Sequence, residues 1–202
     1  MLNTEKYLYT NIRKFLEQDK ENDIGETDEV LSDFSCPRNK DVENFLKNSS
    51  VEFTKKNQSV TYLVFSNEDT ELLGYFTIAL KPLTVEGNRV SNTVKRKLQR
   101  VSKLDEVTQS YTTSAYLIAQ LGKNYTDGAN ERISGGDLLE VAWTVIKNLQ
   151  YEAGGMVAFL EAEKQEKLLG FYKENGFIQF GTRETRDSKG NSHVLIQLLR
   201  LL

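Results

Sequence analysis

Apolar side chains recur along this chain with two periods, and the changes of period mark its elements. Leu8, Ile12, Phe15 and Leu16 fall at helical spacing, which predicts a helix over residues 4–18, followed by a polar, acidic loop over 19–29. Asp41 can cap a second helix in which Val42, Phe45 and Leu46 share a face. Two strand-like runs, 61–66 and 72–80, are joined by the turn-forming residues Asn67, Glu68, Asp69 and Thr70 and predict a hairpin. The stretch 81–105 is polar and basic, with room for a helix around Leu98 and Val101, and 113–121 reads as an apolar strand. After a polar loop over 123–132, Leu138, Ala142, Val145 and Leu149 step by three or four residues along a helix from Ser134 to about Tyr151, which Gly154 and Gly155 end. A strand at 156–163, a helix at 166–175 stopped by Gly176, and strands at 177–180 and 193–199 complete the pattern.

The second half alternates strand and helix, which argues for adjacent parallel strands with a crossover helix, and the hairpin adds antiparallel members to the same sheet. The expected class is therefore α/β, with a mixed sheet. No repeat, low-complexity tract or linker divides the 202 residues, so a single domain over 1–202 with an N-terminal helix at about 4–18 is expected. No apolar run approaches the roughly 18 to 20 residues of a membrane span. Glu5, Lys6, Arg13 and Lys14 interrupt the start, so no secretory leader is read there, and a soluble cytoplasmic protein is expected. Cys36 and His193 are the one cysteine and the one histidine, which excludes an internal disulfide and a zinc site built from those two residue types; no metal is expected. With 26 basic and 29 acidic residues the net charge is −3, so a nucleic-acid partner would need a local patch. Lys95, Arg96, Lys97, Arg100 and Lys103 form one, although such a run reads first as the solvated face of a helix.

Two segments carry candidate chemistry. In Arg132, Ile133, Ser134, Gly135, Gly136 and Asp137, two glycines uncover the backbone where the long helix presents unpaired N–H groups, a geometry suited to a pyrophosphate. The same residues fit a Ser-x-x-Asp capping box, which would only start the helix, and a carboxylate at Asp137 repels phosphate unless it points away. The second segment, QEKLLGFYKENGF at 165–177, reads as a core helix with a glycine stop at Gly176. Glu161 and Glu163 share one face of their strand and offer a carboxylate to take a proton, or are ordinary exposed acids. Cys36 reads as a passive thiol and His193 as a structural or exposed residue.

In this order and spacing, the chain from about Phe34 onward resembles the GNAT superfamily of acyl-CoA-dependent N-acetyltransferases. FYKENGF matches that family's closing motif, and the resemblance implies that Tyr172 is the general acid. At the family's pyrophosphate loop the matching positions are Asn130, Ile133 and Gly135, of which only Gly135 agrees well; a β-branched residue such as Ile133 adopts a positive φ only at high cost. The family's pantetheine-binding strand falls on 118–123. The resemblance thus implies acetyl-CoA as cosubstrate, held by Leu121, Gly122, Lys123, Arg132, Ile133, Ser134, Gly135, Gly136, Asp137 and Gln165, the last standing where many members have Asn. It also implies a mostly antiparallel sheet with a parallel strand pair at its centre, flanked by helices. The reaction implied is attack of a primary amine on the thioester, with a strand N–H near Leu121 or Gly122 at the oxyanion and Glu161 as candidate base.

A narrower resemblance is carried by FSCPRNKDVENFLK, by LLGYFTIAL and by the basic KRKLQR, which are similar to elements of GNAT toxins of toxin and antitoxin modules. It implies aminoacyl-tRNA as acceptor; the negative net charge and the extra N-terminal helix favour a different amine. An acyl-CoA-binding module without turnover is the reading from another class. The N-terminal helix is expected to cover the acceptor groove or to form a homodimer contact.

Overall fold

Asn11 decides how the chain begins. In the computed structural model, which describes residues 6–23, 25–186, 190 and 192–202, the chain enters through strand β1 (Tyr7–Asn11) and turns into helix α1 (Ile12–Asn22). The Asn11 side chain accepts a hydrogen bond from the Arg13 amide at 3.0 Å and caps the helix. This corrects the helix expected over 4–18. Tyr7, Leu8, Tyr9 and Thr10 are strand-forming types, and β1 pairs antiparallel with β2 (Val60–Ser66), Tyr7 opposite Ser66 and Asn11 opposite Tyr62. Leu8 is exposed on β1 while Ile12 is fully buried, so their helical spacing is coincidental. Residues 4 and 5 of that expected helix lie outside the described residues.

The acidic stretch 19–29 is also mostly helical. Helix α1 runs to Asn22 and α2 spans Glu26–Ser32, because Asp19 accepts from the amides of Glu26 at 2.9 Å and Thr27 at 3.2 Å and caps α2 from a neighbouring helix. Helix α3 (Lys40–Asn48) is capped by Asn39 rather than Asp41: the Asn39 oxygen accepts from Asp41 and Val42 at 3.1 and 3.2 Å. A short α4 (Ser50–Lys55) follows.

The chain forms two compact units, Met1–Ala79 with Ile118–Val145, and Leu80–Leu117 with Ile146–Leu202. In the first unit β2 pairs antiparallel with the start of β3 (Leu72–Glu86), Leu63 opposite Tyr75. Ile12, Leu31, Phe34, Leu46, Leu63 and Tyr75 build its core. The Tyr75 ring meets Phe34 edge to face at 5.1 Å, and its hydroxyl donates to the Val42 carbonyl at 2.6 Å, so burial that pushes the phenol's pKa upward leaves its polar atom satisfied. Strand β5 (Ser110–Lys123) ends in this unit. A Cβ on Gly74 would lie 2.7 Å from the Gly122 carbonyl oxygen, and one on Gly122 would lie 2.4 Å from Val42 Cγ1, so both glycines are required by packing. Cys36 belongs to the same core, and burial pushes its thiol up, which suits a passive role.

Just past β5, buried Asn124 ties three segments together. Its amide nitrogen donates to the Leu72 carbonyl at 2.8 Å, and its oxygen accepts from Ser35 N at 2.9 Å and Thr126 N at 3.1 Å. Helix α6 (Ala129–Arg132) and the first part of α7 (Gly135–Ala153) complete the unit.

The second unit holds the remainder of β3, helix α5 (Asn92–Leu98), β4 (Leu104–Asp105), the start of β5, the end of α7, β6 (Val157–Glu163), α8 (Glu166–Glu174), β7 (Ile178–Arg186) and β8 (Ser192–Leu201). Its strand order is β5-β6-β8-β7, with β4 against β5. Strands β5 and β6 run parallel, Tyr116 opposite Ala158, and the β6–β8 and β7–β8 pairs are antiparallel. The architecture is the mixed, mostly antiparallel sheet with a parallel pair and flanking helices that was expected. Leu83, Val94, Leu98, Phe159, Phe180 and Leu199 are among its core side chains. No helix among the described residues is long and apolar enough to cross a membrane.

Replacing Asn124 with Ala strands one carbonyl and two amides in the interior. The expected loss is roughly 2–4 kcal/mol, a fall in melting temperature on the order of 10 °C for a chain of this size. An unchanged thermal melt of Asn124→Ala would show that the amide holds nothing together.

Candidate functional site

The loop before α7 is anchored by a buried side chain. Left-handed geometry occurs at Asp127 (φ 48°) and Gly128 (φ 82°), which lead into α6. Ile133 is extended, φ −132° and ψ 132°, with 1% of its surface exposed. The isoleucine therefore escapes a positive φ by lodging in the core, and the turn is made upstream. Lys123 Nζ donates to the carbonyls of Asn130 at 2.5 Å and Ile133 at 3.0 Å, which holds the loop against the end of β5.

At the helix start the expected capping box is formed. Ser134 Oγ accepts from the Asp137 amide at 3.0 Å and donates to the Asp137 carboxylate at 2.7 Å, and that carboxylate also accepts from Ser134 N at 3.3 Å. The Tyr7 hydroxyl, arriving from β1, lies 3.2 Å from the same carboxylate oxygen and 3.3 Å from the Arg132 carbonyl. Burial alone would raise the Asp137 pKa; the Ser134 and Tyr7 hydrogen bonds outweigh it and hold the carboxyl below its ordinary range. With Asp137 N and Leu138 N bonded to Ser134, the Gly135 and Gly136 amides are the donors without an acceptor among the described residues. A Cβ on Gly136 would meet only Ser134 Oγ, at 3.6 Å.

Arg132 is engaged by the β2–β3 turn. Its guanidinium donates to Asp69 at 2.8 Å, to Ser66 Oγ at 2.8 Å and, more distantly, to Glu68 at 3.5 Å; it also pairs closely with Glu71. These partners absorb its charge, so it projects little positive field toward an anion at α7. Leu121 is half-buried, and Gly122 is committed to packing.

The second unit carries the other sequence-selected residues. Gly176, at φ 81°, reverses the chain after α8, and Phe177 N donates back to the Tyr172 carbonyl at 3.0 Å. That reversal sets buried Phe177 edge-on to the Tyr172 ring at 5.8 Å, with Phe171 at 5.1 Å, which gives the physical content of the FYKENGF motif. Burial pushes the Tyr172 phenol up to about 12, and no group among the described residues hydrogen-bonds its hydroxyl. Its hydroxyl therefore keeps its proton at neutral pH. The Gln165 side chain donates to Glu163 at 2.6 Å. Glu161 is doubly held: Arg183 donates to Oε2 at 2.8 Å and Gln197 to Oε1 at 2.9 Å. Sequence reasoning missed Arg183 and Gln197, because only the β6-β8-β7 register brings them to Glu161. His193 is exposed on β8.

Helix α5 buries Val94 and Leu98 and turns its cations outward. Arg96, Arg100 and Lys103 are exposed, Lys95 and Lys97 half-buried, and among the described residues none of the five forms an ion pair. No cluster of three or more His, Cys, Asp or Glu suited to a metal ion occurs among the described residues.

The Arg132 guanidinium first, with Ser66, lowers Asp69 to about 2, below the ordinary value near 4. The pair therefore adds stability that is fully present above about pH 4 and is lost as pH falls through about 2. In Arg132→Gln the Asp69 carboxyl should titrate near its ordinary value in carbon-detected NMR; a midpoint still near 2 would assign the shift elsewhere.

No protein-family model and no curated protein matches the sequence. Solved structures do resemble the fold. AtaT complexed with acetyl-methionyl-tRNAfMet superposes with a TM-score of 0.61 at 18% identity, covering 94% of this chain and 93% of that one. A tyrosine-to-phenylalanine variant of KacT gives 0.60 at 19% identity, covering 95% and 94%. AtaTR bound with AcCoA gives 0.56 at 18%, covering 98% and 94%. At these identities the likeness establishes the fold, and that fold is the GNAT-like one that the closing motif implied.

Proposed function

We propose that this chain is an acetyl-CoA-dependent N-acetyltransferase in which Tyr172 is the general acid. The observation that carries the reading is the Tyr172 hydroxyl, placed by the Gly176 reversal between Phe171 and Phe177 and without a hydrogen-bond partner among the described residues. A general acid must hold its proton at neutral pH and give it up to a leaving group. Structural neighbours solved with acetyl-CoA support the choice of cosubstrate.

The residues at α7 fit such a ligand through their main chain. The Gly135 and Gly136 amides at the positive end of a 19-residue helix are suited to a pyrophosphate. The side chains contribute little, since Arg132 and Lys123 are engaged internally and Asp137 is anionic. Micromolar rather than nanomolar affinity is the expected consequence. Acetyl-CoA supplies the activated acyl group. The chain's part is to hold the pyrophosphate on those amides, to offer main-chain N–H groups of the pantetheine strand at 121–123, and to donate a proton from the Tyr172 oxygen. The acceptor nitrogen bonds to the carbonyl carbon, the carbon–sulfur bond breaks, and the thiolate leaves with the Tyr172 proton. The amine's own proton passes to base or water.

The acceptor we favour is the amine of an aminoacyl-tRNA, because α5 and the turn after it present five cations, Lys95, Arg96, Lys97, Arg100 and Lys103, that form no ion pair among the described residues. A polyanion that displaces counterions from them gains affinity with a defined salt dependence. The neighbour AtaT is seen with acetyl-methionyl-tRNAfMet, the product of such a reaction.

Tyr172→Phe should lower kcat for acetyl transfer about 10²- to 10⁴-fold with the KM for acetyl-CoA nearly unchanged, and it should relieve any growth arrest caused by expression in bacteria. Full activity of the variant would remove the acid role. Replacing Arg96 and Arg100 with Ala should weaken charged-tRNA binding and reduce the slope of log K against log salt by about 1 per lost phosphate contact. An unaltered slope would point to a small-molecule amine instead.

A further inference from the structure

The ion pair between Glu161 and Arg183 is unequal. The Glu161 side chain is only 13% exposed, whereas that of Arg183 is 56% exposed. The strands are built to keep the carboxylate in place. Gln197 lies opposite Glu161 in the β6–β8 register and opposite Gly181 in the β7–β8 register, next to a bulge between Gln179 and Gly181. A Cβ at position 181 would stand 2.8 Å from Gln197 Oε1, so the glycine leaves the space in which the Gln197 amide turns to Glu161. The anion is thus fixed by a neutral donor from one side. Its cation reaches it from β7 and keeps its other face in water.

For fold stability alone such a pair does little. An exposed arginine contributes weakly, and a largely covered carboxylate gains little over apolar side chains of similar volume. Its chemistry suits exchange. A primary amine reaches an acetyltransferase largely as an ammonium ion. An ammonium that takes Glu161 must displace Arg183, and the freed guanidinium then seeks an anion, for which a phosphate offers the matching two-point geometry.

On the acetyltransferase reading above, we infer that Glu161 and Arg183 together read the acceptor, selecting amines that carry a phosphate nearby over amines that do not. One internal ion pair is exchanged for two intermolecular ones, ammonium on Glu161 and phosphate on Arg183, so charge stays balanced on binding. A simple amine breaks the internal pair and returns nothing to Arg183. Arg183 is accordingly a specificity residue, and Gln197 a positioning residue for Glu161.

The test compares thiol release from acetyl-CoA with two acceptors, a charged tRNA and the amide of the same amino acid, in wild type, Arg183→Gln, Arg183→Lys and Glu161→Gln. In Arg183→Gln, kcat/KM should fall about tenfold for the charged tRNA and rise several-fold for the amide, whose ammonium no longer competes with an internal cation. Arg183→Lys, which keeps a charge but not the fork, should lie between. Glu161→Gln should lower both acceptors together. A ratio of the two acceptors that stays unchanged in Arg183→Gln, or a fall of both by the same factor, overturns the inference while acetyl transfer itself stands. Absence of thiol release from wild type with every amine removes the acetyltransferase reading instead.

Discussion

A helix that starts on two glycines leaves main-chain N–H groups that need an anion, and this protein supplies part of that anion itself. At α7 the Asp137 carboxylate is drawn into the first turn by Ser134 and by Tyr7 from β1. Those bonds more than offset the burial that would otherwise raise its pKa. The helix dipole is thereby half answered from within. What remains for a ligand is the Gly135 and Gly136 amides, a smaller and more selective demand than a bare helix end would make.

The same economy governs the charged side chains around that loop. Arg132 and Lys123 look like phosphate binders in the sequence, yet both are anchors. Arg132 pins the β2–β3 turn to the loop through Asp69, Glu71 and Ser66, and Lys123 closes the loop on its own carbonyls. A cation that already has four partners offers little to a fifth, and a lysine bonded to two partly buried carbonyls cannot leave them without unpairing both. Main-chain recognition is what this arrangement leaves, and it tolerates Ile133, because an extended, buried isoleucine steadies the loop without facing a ligand.

Local chemistry was legible in the sequence wherever neighbours in the chain supply the partners. The hairpin, the Ser134 and Asp137 capping box, the long helix and the Tyr172 to Phe177 reversal each depend on residues within a few positions of one another. The failures share the opposite property. Asp19 caps a helix seven residues further on, β1 needs β2 some fifty residues later to become a strand, and Asn124 works by reaching Leu72 and Ser35. Leu8 and Ile12 show how this misleads: spacing at four residues is the mark of a helix, but an asparagine between them can end a strand and start a helix within one step. Glu161 was found and its setting was not, since Arg183 and Gln197 come to it only through strand register.

The proposed acid and the proposed acceptor reader follow opposite electrostatic strategies. Tyr172 is held beside Phe171 and Phe177, where a charge is unwelcome, so its hydroxyl keeps its proton. The Glu161 carboxylate instead accepts from two donors, and one of those donors is half in water. A carboxylate that is replaceably paired is suited to recognition, because its partner can be traded at little cost in desolvation. A phenol kept neutral is suited to proton donation. On the proposed reading, apolar packing beside the Tyr172 ring and exchangeable pairing at Glu161 divide proton donation from choice of acceptor, and the division rests on the identity of a few side chains facing each group.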